Sequence, residues 1–368
     1  MSEWYRINNI NEVDTPALVV YPQRVKANIA LALSMVGNAD RLRPHVKTHK
    51  TKEITRLMLE AGITRFKCAT IAEAEMLAMV NAPDVLLAYQ PVGPKISRLL
   101  ELISKYPQTR FSCLVDNTEA AVKIDEAAQG ASAVIKVYID INVGMNRTGI
   151  LPEKVFVLFK EICALKNIRF IGLHAYDGHI TDPDYEIRKQ QSDAVFDQVT
   201  KIKDAIMNAG SVKPALIIGG SPTFSVHARR ADVECSPGTF VYWDYGYATR
   251  YKEHLFQPAA LVVTRVISLP EAGIVCTDLG HKSVAAENPL NDRVHFLNAP
   301  DVLFEGQSEE HLKLRADKEH LFKIGEALYG MPVHICPTCA LYERAIVVEN
   351  GIAAGEWENT ARDRKITV

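Results

Sequence analysis

No run of apolar residues in this 368-residue chain approaches the ~20 that a membrane-crossing helix needs. The amino terminus, Met1-Ser-Glu-Trp-Tyr-Arg, lacks the basic and then apolar regions of a secretory signal. The expectation is a cytoplasmic protein with no membrane partner. Charge of one sign is missing too: 42 Lys and Arg stand against 44 Asp and Glu, a net charge of -2, which gives nucleic acid no electrostatic footing. Cysteines are few and odd in number, seven dispersed from Cys68 to Cys339, which fits reduced thiols rather than a disulfide framework. Repeats, low-complexity stretches and charge blocks are absent. What remains, 48% hydrophobic residues at this length, is a globular protein large enough for two domains.

Up to residue 220 the texture alternates. Strand-like segments at 15–20, 43–49, 66–70, 85–89, 111–115, 133–141, 170–174 and 215–218 are separated by amphipathic helical segments, among them Pro152 to Leu165 and Tyr185 to Asn208. Strands joined by crossover helices run parallel. Eight such units favour a (β/α)8 TIM-type barrel over residues 15–255, although periodicity alone does not separate it from a doubly wound sheet. Near Pro258 the helical period fades, and Ala259 to Ser268, Gly273 to Asp278 and Ile346 to Ile352 are strand-like. A C-terminal β-rich domain is therefore expected over 256–368. The polar leader, 1–14, has no place in a barrel and is expected to join it.

The stretch Arg43-Pro-His-Val-Lys-Thr-His49 sorts by charge under strand periodicity. Leu42, Pro44 and Val46 share one face; Arg43, His45, Lys47 and His49 share the other. Such a face cannot be buried without partners, so it should look into a polar cavity. In parallel α/β folds the chemistry sits at the carboxyl ends of strands. A lysine there becomes a nucleophile when desolvation and neighbouring cations such as Arg43 and His45 lower its pKa, and joining an aldehyde cofactor is the usual use. The alternative is a lysine ion-paired to the next strand.

Other strand ends carry further candidates. Ile218-Gly-Gly-Ser-Pro-Thr223 and Pro237-Gly-Thr239 place small residues where backbone N–H groups can approach an anion, and the first runs into a short segment, Phe224 to Arg229, with helical character. Either can equally be a tight turn. Arg147, between Gly144 and Gly149, and Tyr176, in Gly172-Leu-His-Ala-Tyr-Asp-Gly-His179, suit a carboxylate or phenolate. In Pro332-Val-His-Ile-Cys-Pro-Thr-Cys339, an extended backbone would point His334 and Cys336 the same way, and imidazole with thiolate suits zinc. Cys336 and Cys339 also form a C-x-x-C pair, readable as half of a structural zinc or redox unit. Two ligands from one strand leave the remaining positions of an ion to water or substrate.

Together these residues resemble the fold-type III, alanine-racemase-like enzymes that use pyridoxal phosphate, and within them the D-threonine aldolase and D-serine dehydratase family. The resemblance covers nearly the whole chain: Asp14-Thr-Pro-Ala-Leu-Val-Val, Arg43-Pro-His-Val-Lys-Thr-His-Lys50, Cys68-Ala-Thr-Ile-Ala-Glu-Ala-Glu75, Gly144-Met-Asn-Arg-Thr-Gly149, Ala175-Tyr-Asp-Gly-His179, Pro237-Gly-Thr239 and His334-Ile-Cys336. It implies a homodimer acting on a small β-hydroxy-D-amino acid, by elimination to keto acid and ammonia or by retro-aldol cleavage to glycine and an aldehyde. It implies that Lys47 anchors the cofactor with His45 beside it, and that Gly219, Gly220, Ser221, Gly238 and Thr239 hold the phosphate. Arg147 would face the phenolic oxygen and Tyr176 would line the ring. His334 and Cys336 would bind a divalent metal, zinc first and manganese second. Asp278-Leu-Gly-His-Lys282 and Ser308-Glu-Glu-His311 also resemble the family, without assignable roles. Where the racemases carry an arginine against the pyridine nitrogen, this chain has Ser236. The competing expectations are an amino-acid racemase, which needs a second base and no metal, and a non-catalytic pyridoxal-phosphate-binding protein.

Overall fold

The computed structural model describes residues 3–209, 213–317 and 321–368. Its first strand, β1 (Ala17–Val20), is apolar and buried at every position, as befits a strand in the middle of a covered sheet. Seven parallel strands then follow in chain order, each bonded to the next: β2 (Arg65–Cys68), β3 (Asp84–Leu87), β4 (Arg110–Val115), β5 (Ile135–Ile141), β6 (Ile168–Ala175), β7 (Ala215–Ile218) and β8 (Glu234–Cys235). Residues 42–46 bridge the two ends of this sheet. Leu42 pairs with Cys235 and His45 with Lys67, both parallel, and the Arg43 and Val46 N–H groups donate to the Cys235 and Lys67 carbonyls at 2.8 and 2.9 Å. The ring closes with eight members, a (β/α)8 barrel.

Its helices begin where side chains satisfy the first free N–H groups. Thr70 caps Ile71–Met79 by accepting from Glu73 N–H, Asn117 caps Thr118–Gly130 through Ala120 N–H, and Asp184 caps Tyr185–Asn208 through Glu186 and Ile187. Inside the ring, Leu86, Leu114, Tyr138 and Ile217 pack as one buried cluster.

The C-terminal part is a mixed sheet built from β9 (Ala260–Ser268), β10 (Ile274–Thr277), β11 (Val294–Phe296), β12 (Leu303–Gln307), β13 (Leu312–Arg315), β14 (Ala327–Pro332), β15 (Arg344–Glu349) and β16 (Ile352–Glu358). Strand β1 belongs here: it runs antiparallel to β9 and parallel to β15. The strand at 15–20, counted toward the barrel from its sequence, is thus corrected to the mixed sheet, and the two-residue β8 takes the eighth place. The leader lies on the same sheet, with Asn8 N–H donating to Gly351 O and the Asn9 side chain bonded to both polar backbone groups of Ala353. Its first two residues are outside those described.

The chain divides into two compact units. The barrel unit holds Leu31–Lys47, Thr55–Gly238 and Asp363–Val368; the sheet unit holds the chain up to Ala30, Thr48–Ile54 and Thr239–Arg362. Among the described residues no helix is long and apolar enough to cross a membrane.

Candidate active site

Lys47 ends the segment that closes the barrel. Extended pairing stops at His45, and residues 46–49 form a turn completed by Lys50 at φ 56°. The His45 Nδ1 accepts the Lys47 backbone N–H at 3.2 Å, and the His45 N–H donates to Pro237 O at 2.9 Å. His45 therefore fixes the backbone that presents Lys47. The Lys47 side chain is half-buried, and no ion pair reaches it among the described residues.

The turn also redistributes the predicted polar face. Arg43 is 1% exposed and donates to Glu234 at 2.6 Å and Asp84 at 2.5 Å, so its charge is answered within the barrel. His49, expected to share the face of Lys47, falls instead in the sheet unit. There it is fully buried, its Nδ1 accepts Thr51 N–H at 3.1 Å, and burial pulls its pKa down to about 3.

Three polar residues inside the barrel escaped the reading of the sequence. Lys67, Asp140 and His174 each occupy the penultimate position of their strand, in β2, β5 and β6, and Asp140 and His174 are register partners. His174 Nδ1 lies 2.6 Å from Asp140 Oδ1, and its Nε2 lies 3.4 Å from Lys67 Nζ. Burial, followed by the charge of Lys47, pushes the Lys67 ammonium down to about 7. The available signal was a charge flanked by apolar residues near the carboxyl end of a strand, Phe66-Lys-Cys68 or Tyr138-Ile-Asp-Ile141.

Tyr176 follows β6, and Arg147 sits with its guanidinium carbon 4.9 Å from the centre of the Tyr176 ring. The ring lies close against two glycines: a Cβ on Gly178 would come within 2.3 Å of it and one on Gly220 within 2.8 Å. Gly219, at φ +84°, has a backbone conformation that other residues rarely take. Next to it, Thr223 Oγ1 and His227 Nε2 both bond the buried Asp177 carboxylate at 2.8 Å. These bonds fix a loop in which Gly238 N–H donates to Ser221 Oγ at 3.3 Å. The helix expected over 224–229 is the four-residue Phe224–His227. Ser236 is buried, with its hydroxyl lacking any partner among the described residues.

The sheet unit carries the predicted metal pair in a different backbone. His334 is not part of an extended run; it is the N-cap of the short helix Ile335–Cys339. Its imidazole and Cys336 are still in hydrogen-bond contact. Burial opposes the His334 imidazolium, but the bond and charge of Cys336 and the bond to Glu287 outweigh it and raise the pKa to about 9. Cys336 Sγ lies 3.0 Å from Thr48 Oγ1 and 3.6 Å from Thr239 Oγ1, so Thr239 also falls in the sheet unit. Asp244 accepts Ile335 N–H at 3.0 Å and holds the helix start. Among the described residues no three His, Cys, Asp or Glu side chains group as a metal cage. Cys339 is buried and its thiol is held protonated by that burial, which removes it as a second thiolate.

Residues 20–246 match the family model described as alanine racemase, N-terminal domain, and residues 259–348 match a putative serine dehydratase domain. The chain is 28% identical over 364 residues to a D-threonine aldolase from Arthrobacter sp., covering 95% of this chain and 93% of the relative. It is 26% identical over 359 residues to D-threo-3-hydroxyaspartate dehydratase from Delftia sp. strain HT23, covering 90% of this chain and 93% of the relative. The crystal structure of D-threonine aldolase from Filomicrobium marinum superposes with a TM-score of 0.88 at 27% identity, covering 95% of each chain.

Proposed function

Because this chain belongs to the alanine racemase N-terminal domain family, which depends on pyridoxal phosphate, we propose that it is a metal-assisted lyase of β-hydroxy-D-amino acids, working as a homodimer. Dehydration is the preferred reaction and retro-aldol cleavage the second reading. Cys336 as a metal ligand favours the first, by resemblance to the dehydratases; the similarity to a D-threonine aldolase favours the second.

The observation that carries the metal-assisted reading is the contact of His334 with Cys336. Nitrogen and thiolate donors suit zinc, and Glu287, 2.6 Å from His334 Nδ1, would accept a hydrogen bond from Nδ1–H and leave the Nε2 lone pair for an ion. An ion held by two side chains keeps positions for water or substrate, and there it would supply Lewis acidity toward a β-hydroxyl.

The barrel residues fit the cofactor. Among the described residues Lys47 has an amine without an ion pair, the glycines at 178 and 220 leave room for nothing but the Tyr176 ring, and Ser236 has a buried hydroxyl without a partner that can donate to a ring nitrogen. Gly219, Gly220, Ser221 and Gly238 would hold the phosphate, Lys47 the aldehyde carbon, Arg147 the phenolic oxygen. When bound, the cofactor draws electron density away from the α-carbon of an amino acid. Lys47 Nζ would be the group placed to take an α-proton in dehydration; in cleavage a base would remove the hydroxyl proton instead. Tyr176, braced by Gly178 and Gly220, would orient a bound ring.

Purified protein incubated with D-serine, D-threonine or D-threo-3-hydroxyaspartate, with and without chelator, separates the readings. Chelator-sensitive keto acid supports dehydration, and glycine supports cleavage. Chelator-resistant inversion of configuration would replace both with a racemase.

A further inference from the structure

Pyridoxal phosphate at Lys47 leaves a second lysine without a role. Lys67 is 2% exposed, between buried Phe66 and Cys68, on β2, where it pairs with His45 of the segment that leads to Lys47. An ammonium has three protons to place, and among the described residues its only hydrogen-bond partner is His174 Nε2 at 3.4 Å. The His174 tautomer follows from the other side of the ring. Its Nδ1 meets the Asp140 carboxylate at 2.6 Å, so Nδ1 carries the proton and Nε2 presents a lone pair to Lys67. Asp140 is itself held, accepting Thr148 Oγ1 at 2.8 Å. The carboxylate thus answers the lysine through an imidazole and not directly.

Among the described residues two amine protons remain without an acceptor on a side chain that is 2% exposed, an arrangement that costs free energy until an anionic or acceptor atom arrives. The surrounding charges tell the same story. Lys47 and Arg43 press on the Lys67 ammonium, Asp140 and Asp177 support it, and burial is the largest influence of all, leaving it near 7. The Tyr176 ring marks where the acceptor goes. Lys67 Nζ is 5.7 Å from the ring centre, and Arg147, the other cation at that ring, is 4.9 Å away. Arg43, by contrast, already has two carboxylates.

We propose that Lys67 is a cofactor-binding residue that, with Arg147, donates to the anionic oxygen on the pyridoxal phosphate ring, and that His174 and Asp140 position it for this. The inference rests on Lys47 being the cofactor's anchor. Lys67 and the His174–Asp140 pair would then keep the bound phenolate charged while Lys47 handles protons.

The test compares wild type, Lys67→Met and Lys67→Arg in their binding of pyridoxal phosphate and of its 3-O-methyl analogue, which lacks the anionic oxygen. Affinity and the pH midpoint of the visible absorption band are read together. Losing a charge-assisted bond should weaken pyridoxal phosphate about tenfold or more in Lys67→Met. The analogue should bind wild type and Lys67→Met equally, the pH midpoint with the natural cofactor should rise, and Lys67→Arg should recover part of both effects. An equal penalty on both ligands would assign Lys67 to the fold alone, and an unchanged affinity and midpoint would remove it from the site; either overturns the proposal. Should Lys67→Met not fold, His174→Gln carries the same comparison with smaller shifts in the same directions. A wild type that develops no visible band fails the cofactor reading itself, an outcome distinct from both.

Discussion

His334 Nδ1 and Glu287 Oε1 lie 2.6 Å apart, although 47 residues separate them in the chain. A carboxylate at Nδ1 fixes which nitrogen carries the proton and turns the other toward an incoming ion. Glu287→Gln is predicted to weaken zinc binding by about 10–100-fold while leaving pyridoxal phosphate absorption unchanged. Competition against a chromophoric chelator measures it. Equal zinc affinity in the variant would mean that the carboxylate does not orient the ligand.

Arg43 ties the segment that ends in Lys47 to β8 and β3, through Glu234 and Asp84. Removing one partner of a buried ion pair costs about 3–5 kcal/mol, because the charges left behind lose their compensation. Arg65 also contacts Glu234 and Arg110 contacts Asp84, which softens the loss. Arg43→Met should therefore destabilise the protein by about 3 kcal/mol in urea unfolding.

His49 predicts an acid sensitivity. Its imidazole is neutral in the fold, with a pKa pulled down by burial to about 3, while the unfolded chain protonates near 6.5. Below that value the unfolded state takes up a proton that the folded state refuses. Its contribution to stability therefore falls as pH falls, by about 1.4 kcal/mol per unit. Between pH 7 and 5 the wild type should lose about 2 kcal/mol more than His49→Asn, and parallel losses in the two proteins would contradict the assignment.

Gly220 leaves no space for a methyl group beside Tyr176. Gly220→Ala should displace the ring and weaken pyridoxal phosphate binding by about tenfold, with a smaller change in the unfolding midpoint, since a displaced side chain at a rim costs less than a lost core contact. Fluorescence titration with the cofactor reads the affinity.

Local patterns were legible wherever local physics decides. The helical period marks Tyr185–Asn208 to the residue, with Asp184 as its cap in the structure, and the strands β2 to β7 stand close to where the alternation of strands and helices put them. What the sequence could not show is which sheet a strand joins. Residues 17–20 have the composition of a barrel strand, yet their partners are Ala260 to Val263 and Ile346 to Val347, hundreds of residues away. β8 is too short to have a period. His334-Ile-Cys336 reads equally as a strand or a turn, and it is the bond from Ile335 N–H to Asp244 that starts a helix there. Lys67, Asp140 and His174 were hidden for another reason: they lie on three strands far apart in the chain, and only the sheet's pairing brings the three together.

The central claim is that Lys47 carries the cofactor. Adding pyridoxal phosphate to wild type and to Lys47→Ala, then recording visible absorption after removal of unbound cofactor, tests it most directly. The band should form in wild type, persist in His334→Ala and be absent from Lys47→Ala. An intact band in the Lys47 variant would contradict the account.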